Sequence, residues 1–185
     1  LYDTANSGDR GFFKAAMILV RDLSMNARKM EVPELESEIW SRVAEAADHH
    51  NVPGVFTAFT GYEWTSMIEG NNLHRVVIYE GSAEQTASAV PASSFDSPDP
   101  EDLWASLAAY EARTGGQVLA IPHNANLSNG MMFERQRIDG STFNAEYAAM
   151  RARWEPLVEV TQIKGDGEAH PKLSPDDEFA DYGSW

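Results

Sequence analysis

The chain has 185 residues, 43% of them hydrophobic and 23% charged, the composition of an ordinary globular protein of one domain. Its 14 basic and 29 acidic side chains give a formal net charge of −15, a field that repels nucleic acid and anionic membrane and excludes both as expected partners. There is no cysteine, which rules out disulfides, thiolate metal sites and cysteine nucleophiles, and no apolar run approaches the roughly 20 residues that span a bilayer.

Residues 1–10 are polar and read as a loop. Over 12–28 the apolar residues Phe13, Ala16, Met17, Val20 and Leu23 recur at helical spacing. Pro33 suits the first turn of a second helix over 33–50, with Leu35, Ile39, Val43 and Ala46 as its expected buried face. His49 and His50 fall at its end, where an imidazolium favours the helix dipole. Residues 55–60 and 75–79 are short, apolar and β-branched, and read as buried strands. Residues 81–98 are rich in Ser, Ala and Pro and read as a loop. Asp99 and Pro100 open a helix to 113, which Gly115 and Gly116 stop. A third strand is expected over 117–121, a helix over 142–154 and a fourth strand over 157–163, ahead of a charged, turn-rich tail. Helices alternating with short strands predict an α/β fold, a mixed sheet flanked by helices.

In such folds functional groups gather at strand ends. Glu63 follows the first strand, His123 and Asn124 the third, and Lys164, Asp166 and Glu168 the fourth. His74 instead precedes the second strand. Only ten residues separate it from Glu63, too few for a parallel crossover, so an antiparallel hairpin is expected. That brings Glu63, His74 and His123 to one mouth, and a carboxylate with two imidazoles is a common ligand set for zinc, manganese or iron. Taken singly, each has an ordinary explanation as a solvated or hydrogen-bonded side chain. His170, in the tail, is expected to be exposed. Lys164 could neutralise an oxyanion or pair with Asp166.

Four stretches carry a resemblance: Phe59-Thr60-Gly61-Tyr62-Glu63-Trp64-Thr65, Asn71-Asn72-Leu73-His74-Arg75-Val76-Val77-Ile78-Tyr79, Ile121-Pro122-His123-Asn124, and residues 159–168. Together they resemble the polymerase and histidinol phosphatase (PHP) superfamily, in its large bacterial subfamily labelled as a domain of unknown function. The resemblance implies part of a distorted (βα)7 barrel that binds up to three metal ions and hydrolyses phosphate esters through a metal-bound hydroxide. It makes Glu63, His74 and His123 metal ligands. Arg75, Lys164, Asn124 and Asp166 become candidates for holding a small-molecule ester substrate. The His-x-His, Asp-His and Asp-x-His motifs of that superfamily do not occur in the corresponding places, so the chain is expected to be an internal piece of a longer protein with an incomplete site. Two other readings stand beside this one: a non-catalytic binding module, and a metal-free hydrolase using Glu63 with Asp166 or Glu168. A soluble location is expected, cytoplasmic or periplasmic, since a chain without cysteine suits either.

Overall fold

A computed structural model of the chain describes residues 2–8, 10–24, 32–162, 165–166, 172 and 175–176. Three helices come first: α1 (Tyr2–Ala5), α2 (Gly11–Ser24) and α3 (Pro33–His50). Then follow β1 (Thr60–Trp64), two short strands β2 (Met67–Ile68) and β3 (Asn71–Asn72), and β4 (Arg75–Glu80). The rest comprises α4 (Ala83–Ala87), α5 (Pro100–Thr114), β5 (Gln117–Pro122), α6 (Ala145–Trp154), β6 (Thr161–Gln162) and β7 (Gly165–Asp166).

The architecture is mixed α/β, as the alternation predicts, but the sheets are small and antiparallel and no closed barrel forms among the described residues. The main sheet has the order β1-β4-β5. The short link between β1 and β4 makes the expected antiparallel pair, with Glu63 opposite Val76 and Trp64 opposite Arg75. β2 and β3 fill that link as a small ladder of their own. β5 returns antiparallel to β4, with Arg75 opposite Pro122.

Burial alternates along the strands. Trp64, Val77, Tyr79, Val118 and Ala120 face inward and are buried, while Glu63, Val76, Ile78, Leu119 and Ile121 face the other, more open side. α3 packs against β1, and α5 and α6 against β5. The core joins Trp40, Trp64, Tyr79, Leu103, Trp104 and Leu107 with inward strand residues. Trp40 meets Tyr79 edge-on at 5.5 Å, and Tyr79 meets Tyr110 at 4.8 Å, the tilted geometry that aromatic quadrupoles favour.

Several sequence expectations shift here. α3 buries Trp40 and Ala44, leaving Leu35, Ile39, Val43 and Ala46 exposed. The large indole sets this rotation, because its ring packs on Tyr62 and Tyr79 and its Nε1 donates to Thr86 O at 2.8 Å. Likewise α2 buries Ala15, and Phe13, Met17 and Val20 are exposed. The first strand starts at Thr60, since 52–56 forms a turn in which Val55 and Phe56 both donate to Val52 O. Leu157, Val158 and Val160 are exposed, and the expected fourth strand contracts to β6, paired only with β7. Within the expected loop 81–98, Ser82 and Gln85 form a reciprocal capping box that starts α4. Asp99 caps α5 as expected, accepting from the Glu101 N–H at 2.9 Å, and Gly115 ends the helix in the left-handed conformation at φ 68°. His49 and His50 lie in the last turn of α3.

Among the described residues Arg75 is the most deeply buried charged residue. Its Nε donates to Glu155 Oε1 at 2.9 Å, with both side chains only 2% exposed. A further guanidinium N–H donates to Leu73 O. Trp104 Nε1 also donates to Glu155 Oε1 at 3.0 Å, and Arg151 Nε to Glu155 Oε2 at 3.0 Å. Burial lowers the proton affinity of Arg75, and the Glu155 charge opposes that shift. Removing one partner strands a buried charge, at a cost of about 3–5 kcal/mol. We therefore predict that Glu155→Ala lowers the unfolding free energy by about that amount in urea denaturation; a loss below about 1 kcal/mol would show that the network contributes little.

Candidate metal centre

β1, β4 and β5 place one candidate ligand each. Glu63 is the penultimate residue of β1, on the open face; His74 immediately precedes β4 and His123 immediately follows β5. The antiparallel ladder makes the last two neighbours, and its outermost bond runs from the His123 N–H to His74 O at 3.2 Å. The imidazole centroids lie 5.8 Å apart.

Their side chains converge on one carboxylate oxygen. Glu63 Oε1 lies 2.9 Å from His74 Nδ1 and 2.9 Å from His123 Nε2. One ligand atom from each of the three residues can be chosen so that all lie within 4.8 Å of one another. The imidazoles are 12% exposed and the carboxylate 51%. Burial raises the Glu63 pKa, but hydrogen bonds and positive charge from His123 and His74 outweigh it, and the carboxyl is held below its ordinary value.

The donor set suits a divalent cation. Tetrahedral zinc with ligands near 2.0–2.1 Å has ligand–ligand edges of about 3.3 Å. The two Glu63–imidazole separations of 2.9 Å fall short of that edge, and the half-exposed carboxylate can withdraw to reach it. His123 Nδ1 is buried and has no hydrogen-bond partner among the described residues, so this ring is oriented by its backbone and by Glu63. The group is thus a possible Glu/His/His metal-binding triad.

The substrate-binding candidates fare differently. Arg75 is committed to Glu155 beneath the surface and does not reach the mouth. Asn124 is 2% exposed and adopts φ 57°, a left-handed conformation that Asn tolerates. Its N–H donates to Glu159 Oε2 at 2.9 Å, and its side-chain oxygen accepts from Gln162 Nε2. Both residues are therefore internal supports. Asp166 lies in β7, but its side chain is outside the described residues, as are Lys164, Glu168 and His170.

Sequence reasoning missed Glu155 and Glu159. Glu159 donates its N–H to Pro122 O at 3.0 Å, and its carboxylate also accepts from Gln162 Nε2 at 2.7 Å. It thereby braces both residues that flank His123. No local pattern marks either glutamate, because their partners are up to 80 residues away.

Among known protein families, one described as a protein of unknown function (DUF3604) matches residues 10–185, and the chain belongs to that family. No PHP family model matches, which overturns the expected membership of the PHP superfamily. No curated protein and no solved structure is significantly similar to the chain.

The shared oxygen sets a pH dependence. A carboxyl whose folded pKa is depressed contributes stability that is present above its unfolded pKa and lost as pH falls through the folded value. Carbonyl-carbon NMR of the metal-free protein is expected to give Glu63 a midpoint below the ordinary glutamate value, and the double variant His74→Ala, His123→Ala to raise it. A midpoint at or above the ordinary value in the wild type would refute the paired geometry.

Proposed function

For this member of the DUF3604 family we propose a metal-dependent hydrolase of small-molecule esters, with phosphate esters as the first class to examine. The observation that carries the reading is a set of three convergent nitrogen and oxygen donors at a solvent-reached edge. Closed structural zinc sites use four protein ligands, whereas catalytic sites use three and leave a position for water. When bound, zinc, manganese or iron supplies Lewis acidity and lowers the pKa of coordinated water, in the case of zinc to about 7.

The residues divide the work. His74 and His123 are the rigid nitrogen donors, held by the ladder bond between their main chains. Glu63 supplies the anionic donor and the freedom to adjust. Glu155 and Glu159 act at one remove, through the chain segments on either side of the imidazoles. The local positive charge of a cation would let an anionic ester approach a chain of net charge −15.

Calorimetric titration with zinc, manganese and iron(II) tests the site, followed by 4-nitrophenyl phosphate and bis(4-nitrophenyl) phosphate turnover. Each of Glu63→Ala, His74→Ala and His123→Ala is expected to weaken metal binding by about 100-fold or more and to abolish turnover, because two remaining donors hold these metals poorly. Gln162→Ala, which loosens the brace behind His123, should cost about 10-fold to 100-fold. Hydrolysis that survives complete chelation would reject the metal reading.

A further inference from the structure

Beside the triad, α3, β1 and the segment 90–95 enclose a cavity of about 640 Å³, within the size range of small-molecule pockets. Glu63 belongs to its lining. Its walls are apolar, built chiefly from Ile39, Trp40 and Val43 on one side and Val90, Ala92 and Phe95 on the other. The second wall is tied to the strand that carries Glu63: Tyr62 Oη donates to Ala92 O at 3.0 Å, and the buried Ser94 Oγ donates to Thr65 O at 2.5 Å. Among the described residues of the lining the charged ones are Glu36 and Glu63, and the Glu63 carboxylate turns to the two imidazoles.

We propose that this cavity receives the uncharged, apolar part of the substrate, of aromatic or branched aliphatic character, while the reacting ester lies at Glu63, His74 and His123. The assignment rests on the hydrolase reading and adds the substrate's chemical class to it. Shape and composition select the group: the walls offer hydrocarbon and indole contact, and apolar surface leaves water favourably there. Charge selects against alternatives. A carboxylate or second phosphate on the same moiety would leave water for apolar walls whose described residues include no Lys, Arg or His. The substrate is therefore a monoester or simple ester of a hydrophobic alcohol or phenol, not a sugar phosphate or a polyanion.

The test uses 1-naphthol, which has the apolar group but no ester, and its carboxylate analogue 4-hydroxy-1-naphthoate, by calorimetry on the full chain. 1-Naphthol is expected to bind at one site, at least about tenfold tighter than the carboxylate analogue. Val43→Arg places a guanidinium in the wall from a position that is 41% exposed, so the helix can accommodate it. This variant should weaken 1-naphthol at least tenfold and leave zinc affinity within about twofold, whereas Val43→Ile should retain both. Circular dichroism confirms that each variant is folded. Zinc uptake without 1-naphthol binding, equal affinity for the two naphthols, or no effect of Val43→Arg would overturn the cavity assignment alone. 1-Naphthol binding without zinc uptake would overturn the hydrolase reading, and the cavity's role as a substrate site with it.

Discussion

The register of one antiparallel ladder governs the site. Arg75 faces Pro122 across β4 and β5, and the next bond outward joins the main chains of His123 and His74. Antiparallel pairing makes the start of one strand coincide with the end of the other, so both imidazoles leave the same corner. β1 adds Glu63 one row further in, opposite Val76. A slip of one residue would turn Glu63 to the inner face and Trp64 to the open one. The buried packing of Trp64, Val77 and Tyr79 opposes that slip, so the hydrophobic core fixes the position of a polar group it does not touch.

Two glutamates stiffen this corner from behind. Glu155 draws Arg75, Arg151 and Trp104 together where β4 begins, one residue from His74. Glu159 ties Pro122, Asn124 and Gln162 together around His123. Burying the Arg75–Glu155 pair carries a desolvation cost that a hydrophobic pair would avoid. What the ions add is direction: a guanidinium fork and a carboxylate fix angles as well as distance. Ligands held by such supports reorganise little when an ion or substrate arrives.

Much of this corner was legible in the sequence because it depends on local, short-range rules. Ten residues between Glu63 and His74 cannot make a crossover, and the hairpin follows. Asp99-Pro100 and Gly115 mark α5 at both ends because caps are local chemistry. Where the reading failed, a distant partner decided. Periodicity put Leu35, Ile39 and Val43 inside α3, yet one indole and its bond to Thr86 O rotate the helix away from them. The apolar stretch at 157–160 looks like a core strand, but among the described residues the sheet supplies no neighbour for it beyond the single bond to Pro122. Arg75 and Asn124 are the candidates for holding a substrate that lie among the residues with described side chains. Their side chains run the opposite way, into the networks of Glu155 and Glu159. Adjacency in sequence on a strand means opposite faces, which is the reason His74 and Arg75 diverge.

The three donors are unequal in a way that bears on how the site would fill. Both imidazoles are nearly enclosed, and their main chains share a hydrogen bond, so their positions are set before any ion arrives. Glu63 is half exposed, and one of its oxygens lies 2.9 Å from each ring, closer than the edge of a tetrahedral site. A cation at this corner would replace the hydrogen bonds between that oxygen and the two rings. A cation would need the exposed carboxylate to withdraw, since 2.9 Å falls short of that edge. The cavity along α3 and β1 includes Glu63 in its lining, so the proposed apolar site and the carboxylate belong to the same strand.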